Sequence, residues 1–276
     1  MKGNSIYQAA ANGELKIIEK LISFGFDINK GDEEGYTALH WAAQEGQIEV
    51  VNYLVDNGAD INCLDDDEFN PLEVSINQGH LDISKFLIER GCNLSVQRNG
   101  FTPLHAAAAS GAVEIMGLLL GGKMDINKLD QDGEGFAPLH WASQEGYLKC
   151  VDFLVKAGAD VDLKTVDGFS SLYIAAGEGH TEIVDCLINN NAKIENQNES
   201  SENSTPLIIA SAYNHCNVVE LLIEHGADLE KKDNAGRTAL FNATEYGNTE
   251  VIKILLEKGA KKNIVDNTGV RLLDLL

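Results

Sequence analysis

Gly35-Tyr-Thr-Ala-Leu-His-Trp-Ala-Ala-Gln-Glu-Gly46 returns twice further along the chain. It reappears as Gly100-Phe-Thr-Pro-Leu-His-Ala-Ala-Ala-Ala-Ser-Gly111 and as Gly135-Phe-Ala-Pro-Leu-His-Trp-Ala-Ser-Gln-Glu-Gly146. The leucine at its centre marks a period that runs through the whole sequence. Leu39, Leu72, Leu104, Leu139, Leu172, Leu207, Leu240 and Leu273 stand 33, 32, 35, 33, 35, 33 and 33 residues apart, and a step of 33 back from Leu39 falls on Ile6. A second block follows each copy, as in Ile48-Glu-Val-Val-Asn-Tyr-Leu-Val-Asp-Asn-Gly-Ala-Asp-Ile-Asn62. A fixed period of this length marks a stack of small structural units, because no single unit can bury its own apolar face.

Each residue of the repeat has a local physical use. Thr37, Thr102 and Thr205 stand where a helix N-cap is wanted, a hydroxyl accepting from exposed backbone amides. Pro71, Pro103, Pro138 and Pro206 are the chain's four prolines, and each follows that cap, where a missing N–H costs nothing. Small pairs such as Ala42-Ala43 and Ala106-Ala107 let neighbouring units approach closely. Gly46, Gly111, Gly146 and Gly179 are expected to close the first helix of their units. Gly58, Gly91, Gly158, Gly226 and Gly259 are expected to close the second, as left-handed C-caps. Asn214 replaces one such glycine, which asparagine can do. Val50-Val51 with Leu54-Val55 gives the i, i+3, i+4 stripe of a helix buried on one face.

This text resembles the ankyrin-repeat family, and the resemblance covers the chain from Ile6 to Leu276. It implies an all-α fold, an α-solenoid of helix–turn–helix repeats with projecting β-hairpin-like turns. Repeats are expected at about 5–34, 35–68, 69–99, 100–134, 135–167, 168–202, 203–234 and 235–268, with a partial ninth at 269–276, in one domain over 1–276. The family's Thr–His hydrogen-bond ladder should be interrupted, since Glu73, Tyr173, Ile208, Phe241 and Asp274 replace the histidine. Extra length falls at Lys128–Glu134 and Glu195–Ser204, the second all polar and expected to be a mobile tip. The apolar end Leu272-Leu-Asp-Leu-Leu276 departs from the polar outer face of a capping unit. Either the parent chain continues, or a partner covers that end.

Composition excludes several functions. Forty-three acidic residues against 21 basic ones give a net charge of −22. Both halves are acidic, so no basic surface for nucleic acid or anionic lipid is expected. No run of 18 apolar residues is present to cross a membrane. The patch from Ile17 to Phe26 is broken by Glu19 and Lys20 and lacks a basic lead-in, so no secretory signal is read there. Five cysteines without a C-x-x-C point to reduced thiols in a cytoplasmic setting, with the nucleus or a host-cell cytosol as alternatives.

No constellation for chemistry emerges, and no cofactor, metal ligand or catalytic residue is assigned. His40, His105 and His140 hold the motif position, where a structural hydrogen bond is expected. His80 and His180 follow the helix-closing glycine, while His215 and His225 lie in unrelated contexts. Gly121-Gly-Lys-Met lacks the remaining residues of a phosphate loop. Cys150 and Cys186 read as core, and Cys63 and Cys92, nearer turns, as candidates for reactivity. A nucleophile would still need a positioned base. Trp41 and Trp141 read as core-facing packing residues.

By resemblance, a partner would sit on the turn tips and the exposed face of the first helix. The residue after the turn glycine reads Tyr36, Phe69, Phe101, Phe136, Phe169, Ser204 and Arg237. The pair before the helix-closing glycine includes Gln44-Glu45, Gln144-Glu145, Ala212-Tyr213 and Glu245-Tyr246. Aromatics bordered by Glu33, Glu34, Asp65–Glu68, Asp132 and Glu134 suit a basic or amphipathic polypeptide. The same acids also serve solubility. Leu54, Asp60 and Asn62 resemble asparaginyl-hydroxylation sites in turns of this family, which would make Asn62 a substrate residue. The resulting expectation is a monomeric, non-enzymatic protein-binding scaffold, adaptor or inhibitor. The alternative is the targeting domain of a larger protein whose effector or catalytic part lies outside this chain.

Overall fold

The computed structural model describes residues 5–95, 99–122, 124–131, 133–198 and 203–275. Among these residues sixteen α-helices alternate short and long, with no extended strand. Two compact units divide them, residues 1–125 and 126–276.

The first unit holds four helical hairpins. They are α1 (Ile6–Ala11) with α2 (Leu15–Ser23), α3 (Ala38–Gln44) with α4 (Ile48–Asp56), α5 (Pro71–Asn77) with α6 (Leu81–Glu89), and α7 (Pro103–Ala109) with α8 (Val113–Gly121). First helices pack on first helices and second on second, so α3 lies between α1 and α5 while α4 lies between α2 and α6. The second unit repeats the plan. Its hairpins are α9 (Pro138–Gln144) with α10 (Leu148–Lys156), α11 (Ser171–Glu178) with α12 (Thr181–Asn189), α13 (Pro206–Ala212) with α14 (Cys216–Glu224), and α15 (Ala239–Glu245) with α16 (Thr249–Glu257). A 3-10 turn over Leu272–Asp274 follows.

The packing accounts for the alanines. Ala42, Ala43, Ala106, Ala107, Ala175 and Ala176 are fully buried, so backbones of successive first helices meet with almost no side chain between them. The second helices bury one stripe each, such as Val50, Val51 and Leu54, or Cys150, Val151 and Leu154. The four prolines start helices as expected. The helix-closing glycines and Asn214 all have positive φ. Thr205 accepts the Ile208 N–H at 3.2 Å, as a cap should. Thr102 instead places its hydroxyl 2.8 Å from His105 Nδ1.

The ladder of buried histidines is interrupted as expected where Ile208 and Phe241 stand, and in one repeat it is modified. His40 Nδ1 accepts the Thr37 N–H at 3.2 Å, so its proton sits on Nε2, 3.1 Å from the Phe69 carbonyl of the next repeat. His140 does the same between the Ala137 N–H and the Leu163 carbonyl. In the third repeat both partners change together. Asn70 caps the Glu73 N–H at 2.9 Å, and the Glu73 carboxylate accepts the Asn70 N–H at 3.3 Å. A carboxylate thus takes over the acceptor role of the imidazole, fully buried.

A second set of contacts ties one repeat to the next. The side-chain oxygens of Asn29 and Asn62 accept the N–H groups of Asp60 and Asn93 at 2.7 Å. In the second unit Asn127, Asp162, Glu195 and Glu230 accept from Asp160, Lys193, Asp228 and Lys261 at 2.8–2.9 Å. His80 and His180 reach back to the carbonyls of Gln44 and Gln144. His215 makes the same bond to Gly177 at 2.8 Å, so the separate reading of that residue is corrected. Because Asn214 replaces the glycine that marks this register, the sequence had hidden the equivalence.

Candidate functional site

Five of the described turns are built around one acidic residue each. Asp32, Asp65, Asp233 and Asp266 donate their own N–H to the carbonyl of the residue four further on, namely Tyr36, Phe69, Arg237 and Val270. In the lengthened turn Asp130 reaches Phe136 at 2.8 Å. The carboxylate then closes the loop from the other side, accepting the N–H of Tyr36, Phe69, Phe136 and Arg237 at 2.8–2.9 Å. Thr165 Oγ1 and Asn198 Oδ1 do the same for Phe169 and Ser204. Asp65, Asp130 and Asp266 are buried. These carboxylates are therefore turn staples and part of the structure, and they do not merely solubilise the surface. Asp266 shows this most clearly, its carboxyl held down to about 2 by the Thr268 hydroxyl, by the N–H groups of Val270 and Thr268, and by Arg237.

The tryptophans complete the staples, which corrects their reading as core-facing. Both are half-buried. Trp41 Nε1 donates to Asp32 Oδ2 at 2.8 Å, and Trp141 Nε1 to Asp130 Oδ2 at 2.9 Å. Their rings meet Tyr36 and Phe136 edge to face, with centroids 5.4 Å and 5.2 Å apart. The 9- and 11-residue spacings from aspartate to tryptophan were in the sequence, but no periodicity argument draws attention to them.

The predicted aromatic column is largely consumed by packing within its own repeats. Tyr36, Phe101 and Phe136 lie against His40, His105 and His140, and Phe169 stacks on Tyr173 at 5.1 Å and 10°. Tyr36, Phe69, Phe101 and Phe169 are half-buried, and Phe136 is only 4% exposed. Burial first, then the carboxylates of Asp65, Asp67, Asp32 and Glu34, raises the Tyr36 hydroxyl pKa. Arg237 is also committed. Its guanidinium forks between Glu245 at 2.6 Å and Asp266 at 3.2 Å and lies 5.3 Å from the Phe241 ring centroid.

The pair column is freer. Gln44 donates to Glu45 at 3.1 Å, and Glu45 and Glu145 are exposed. Tyr213 and Tyr246, which end α13 and α15, are 63% and 65% exposed. In the second unit these positions form two adjoining pockets. One, of about 270 Å³, is walled by Phe136, Gln144, Phe169 and Tyr173, with Glu134 and Glu178 at its rim. The other, of about 300 Å³, lies between Tyr213 and Tyr246, with Asp233, Arg237 and Asn242 along it. Ile209 and Tyr213 line both, so Tyr213 is the partition between them. Ile209 was not singled out from sequence, since its neighbours are set by stacking, and Tyr173 was read only as a replacement of the motif histidine. Asp132 and part of the polar 195–204 tip lie outside the described residues.

Burial pushes the Cys63 and Cys92 thiols up to about 11, away from the thiolate form that reacts. Cys150 is core, whereas Cys186 is half-buried. Among the described residues no group of three or more His, Cys, Asp or Glu is arranged to hold a metal ion, and no helix is long and apolar enough to cross a membrane. Asn62 is exposed, its side-chain oxygen spent on Asn93.

Stacked helical hairpins with stapled turns, pocketed on the first-helix side of the second unit, define a helical repeat protein. The family model for ankyrin repeats matches this chain in three copies, over residues 6–98, 92–165 and 172–266, and the chain belongs to the ankyrin-repeat family. Ankyrin repeats are general protein–protein interaction modules. A search among curated proteins found no match to the chain.

Proposed function

We propose that this chain is a non-enzymatic scaffold, adaptor or inhibitor that holds a polypeptide against its turn tips and first-helix faces. It would act as a monomer, in a reducing compartment such as the cytoplasm, where its free cysteines stay reduced. The observation that carries the reading is the pair of adjoining pockets parted by Tyr213, beside tyrosines exposed by 63% and 65% where the other first-helix aromatics are buried or half-buried. Rigid tyrosines lose little conformational freedom on contact and are frequent energetic anchors. The stapled turns hold the pockets ready, which lowers the ordering cost of binding.

The test is selection of a phage-displayed random dodecapeptide library on the full chain, followed by fluorescence anisotropy with the enriched peptides. Tyr213→Ala with Tyr246→Ala should weaken them at least tenfold, with an unchanged circular dichroism spectrum. No enriched peptide family, or one that binds the double variant equally well, would overturn the proposal. Phe136→Ala is unsuitable for this purpose, because truncating a buried aromatic costs about 3–5 kcal/mol of fold stability.

A further inference from the structure

Resting on that reading, we propose that the pocket walled by α9, α11 and α13 receives an arginine side chain of the bound polypeptide. Its lining includes the aromatic pair Phe169 and Tyr173, stacked on each other, together with Phe136 and the exposed Tyr213. Its rim carries two exposed carboxylates, Glu134 and Glu178, and its described lining holds no lysine or arginine. An apolar anchor would satisfy the rings but strip water from the carboxylates without a return. A carboxylate or phosphate would be repelled. A guanidinium meets both demands, because it is planar, weakly hydrated, stacks on aromatic faces and forks to carboxylates.

Two further features point the same way. Gly177 sits inside α11, where glycine is the poorest helix former after proline. A Cβ there would stand 3.3 Å from Ile209 Cγ1, so the absent side chain leaves the pocket open. The corresponding position of the preceding repeat carries Gln144. The protein also contains its own worked example two repeats on. Arg237, in the aromatic column, lies over Phe241 and is clasped by Glu245 and Asp266. The proposed pocket likewise combines aromatic rings with two carboxylates, here exposed, and its described lining has no internal arginine.

The test uses the tightest dodecapeptide from the selection above and its counterpart with citrulline in place of arginine, which keeps the shape and removes the charge. On the unaltered protein the citrulline peptide should bind about tenfold more weakly. On the variant carrying Glu134→Gln and Glu178→Gln the two peptides should differ less than twofold. Enriched peptides without arginine, or equal binding of the citrulline form to the unaltered protein, would overturn this assignment. If such peptides still lose binding on Tyr213→Ala with Tyr246→Ala, the scaffold reading stands and the arginine pocket alone falls. If no peptide binds at all, both fall.

Discussion

Replacing Asp130 by alanine tests whether the buried acids are structural staples. The carboxylate accepts the Phe136 N–H through Oδ1 and the Trp141 indole N–H through Oδ2, both at 2.9 Å. Loss of the first bond strands a backbone donor under a residue that is 4% exposed, at a cost of about 1–3 kcal/mol. Loss of the second costs less, about 1 kcal/mol, since half-buried Trp141 can find water. Asp130→Ala should therefore destabilise by about 3 kcal/mol. The indole bond is isolated by a double-mutant cycle with Trp141→Phe, followed by circular dichroism in urea. The coupling should be about 1 kcal/mol, the cost assigned above to this half-exposed bond. In the proton NMR spectrum only one of the two indole N–H resonances should move in Asp130→Ala, that of Trp141. A loss below about 0.5 kcal/mol, the size of an ordinary surface substitution, would refute the staple. Additivity of the two single variants would refute the indole bond.

The remaining predictions follow from the same contacts. Burial lowers the His40 pKa below its ordinary 6.5, so its imidazole should remain neutral in the folded protein as pH falls through that value. The unfolded chain then binds the proton first. His40's contribution is complete above pH 6.5 and is lost as pH falls from there through the folded pKa, which a two-dimensional NMR titration and melts at several pH values would follow. Asp266 has the depressed pKa of a stapled carboxyl, so its contribution is present above the ordinary carboxyl pKa and disappears as pH falls towards about 2. Protection of the Val270 amide, relative to its intrinsic exchange rate at each pH, should fall over that interval in the unaltered protein and should already be lowered at pH 7 in Asp266→Asn. With thiols pushed up to about 11, Cys63, Cys92 and Cys150 should resist iodoacetamide at pH 8, read by mass spectrometry after digestion. Gly46→Ala should cost more than Gly58→Ala in a urea melt. Both positions have positive φ, worth about 1–2 kcal/mol each, but only the Cβ at 46 would meet another residue, 2.7 Å from the His80 ring.

What the chain settled alone is everything that recurs locally. The 33-residue period, the prolines at the first helical turn, the glycines past each helix end and the alanine pairs each specify backbone conformation within a few residues of themselves. That is why helices and caps were legible, and with them the family. What only stacking decided is the fate of each side chain. Phe136 and Tyr213 are both aromatics in candidate binding columns, yet one is buried against Trp141 and the other stands in solvent. Asp130 and Glu134 are acids four residues apart, yet one is a buried staple and the other a pocket rim. His215 carries no motif, yet it bonds the preceding repeat as His180 does. Burial and partnership at these positions depend on the neighbour one repeat away, about 33 residues distant along the chain and in contact only once the helices are stacked.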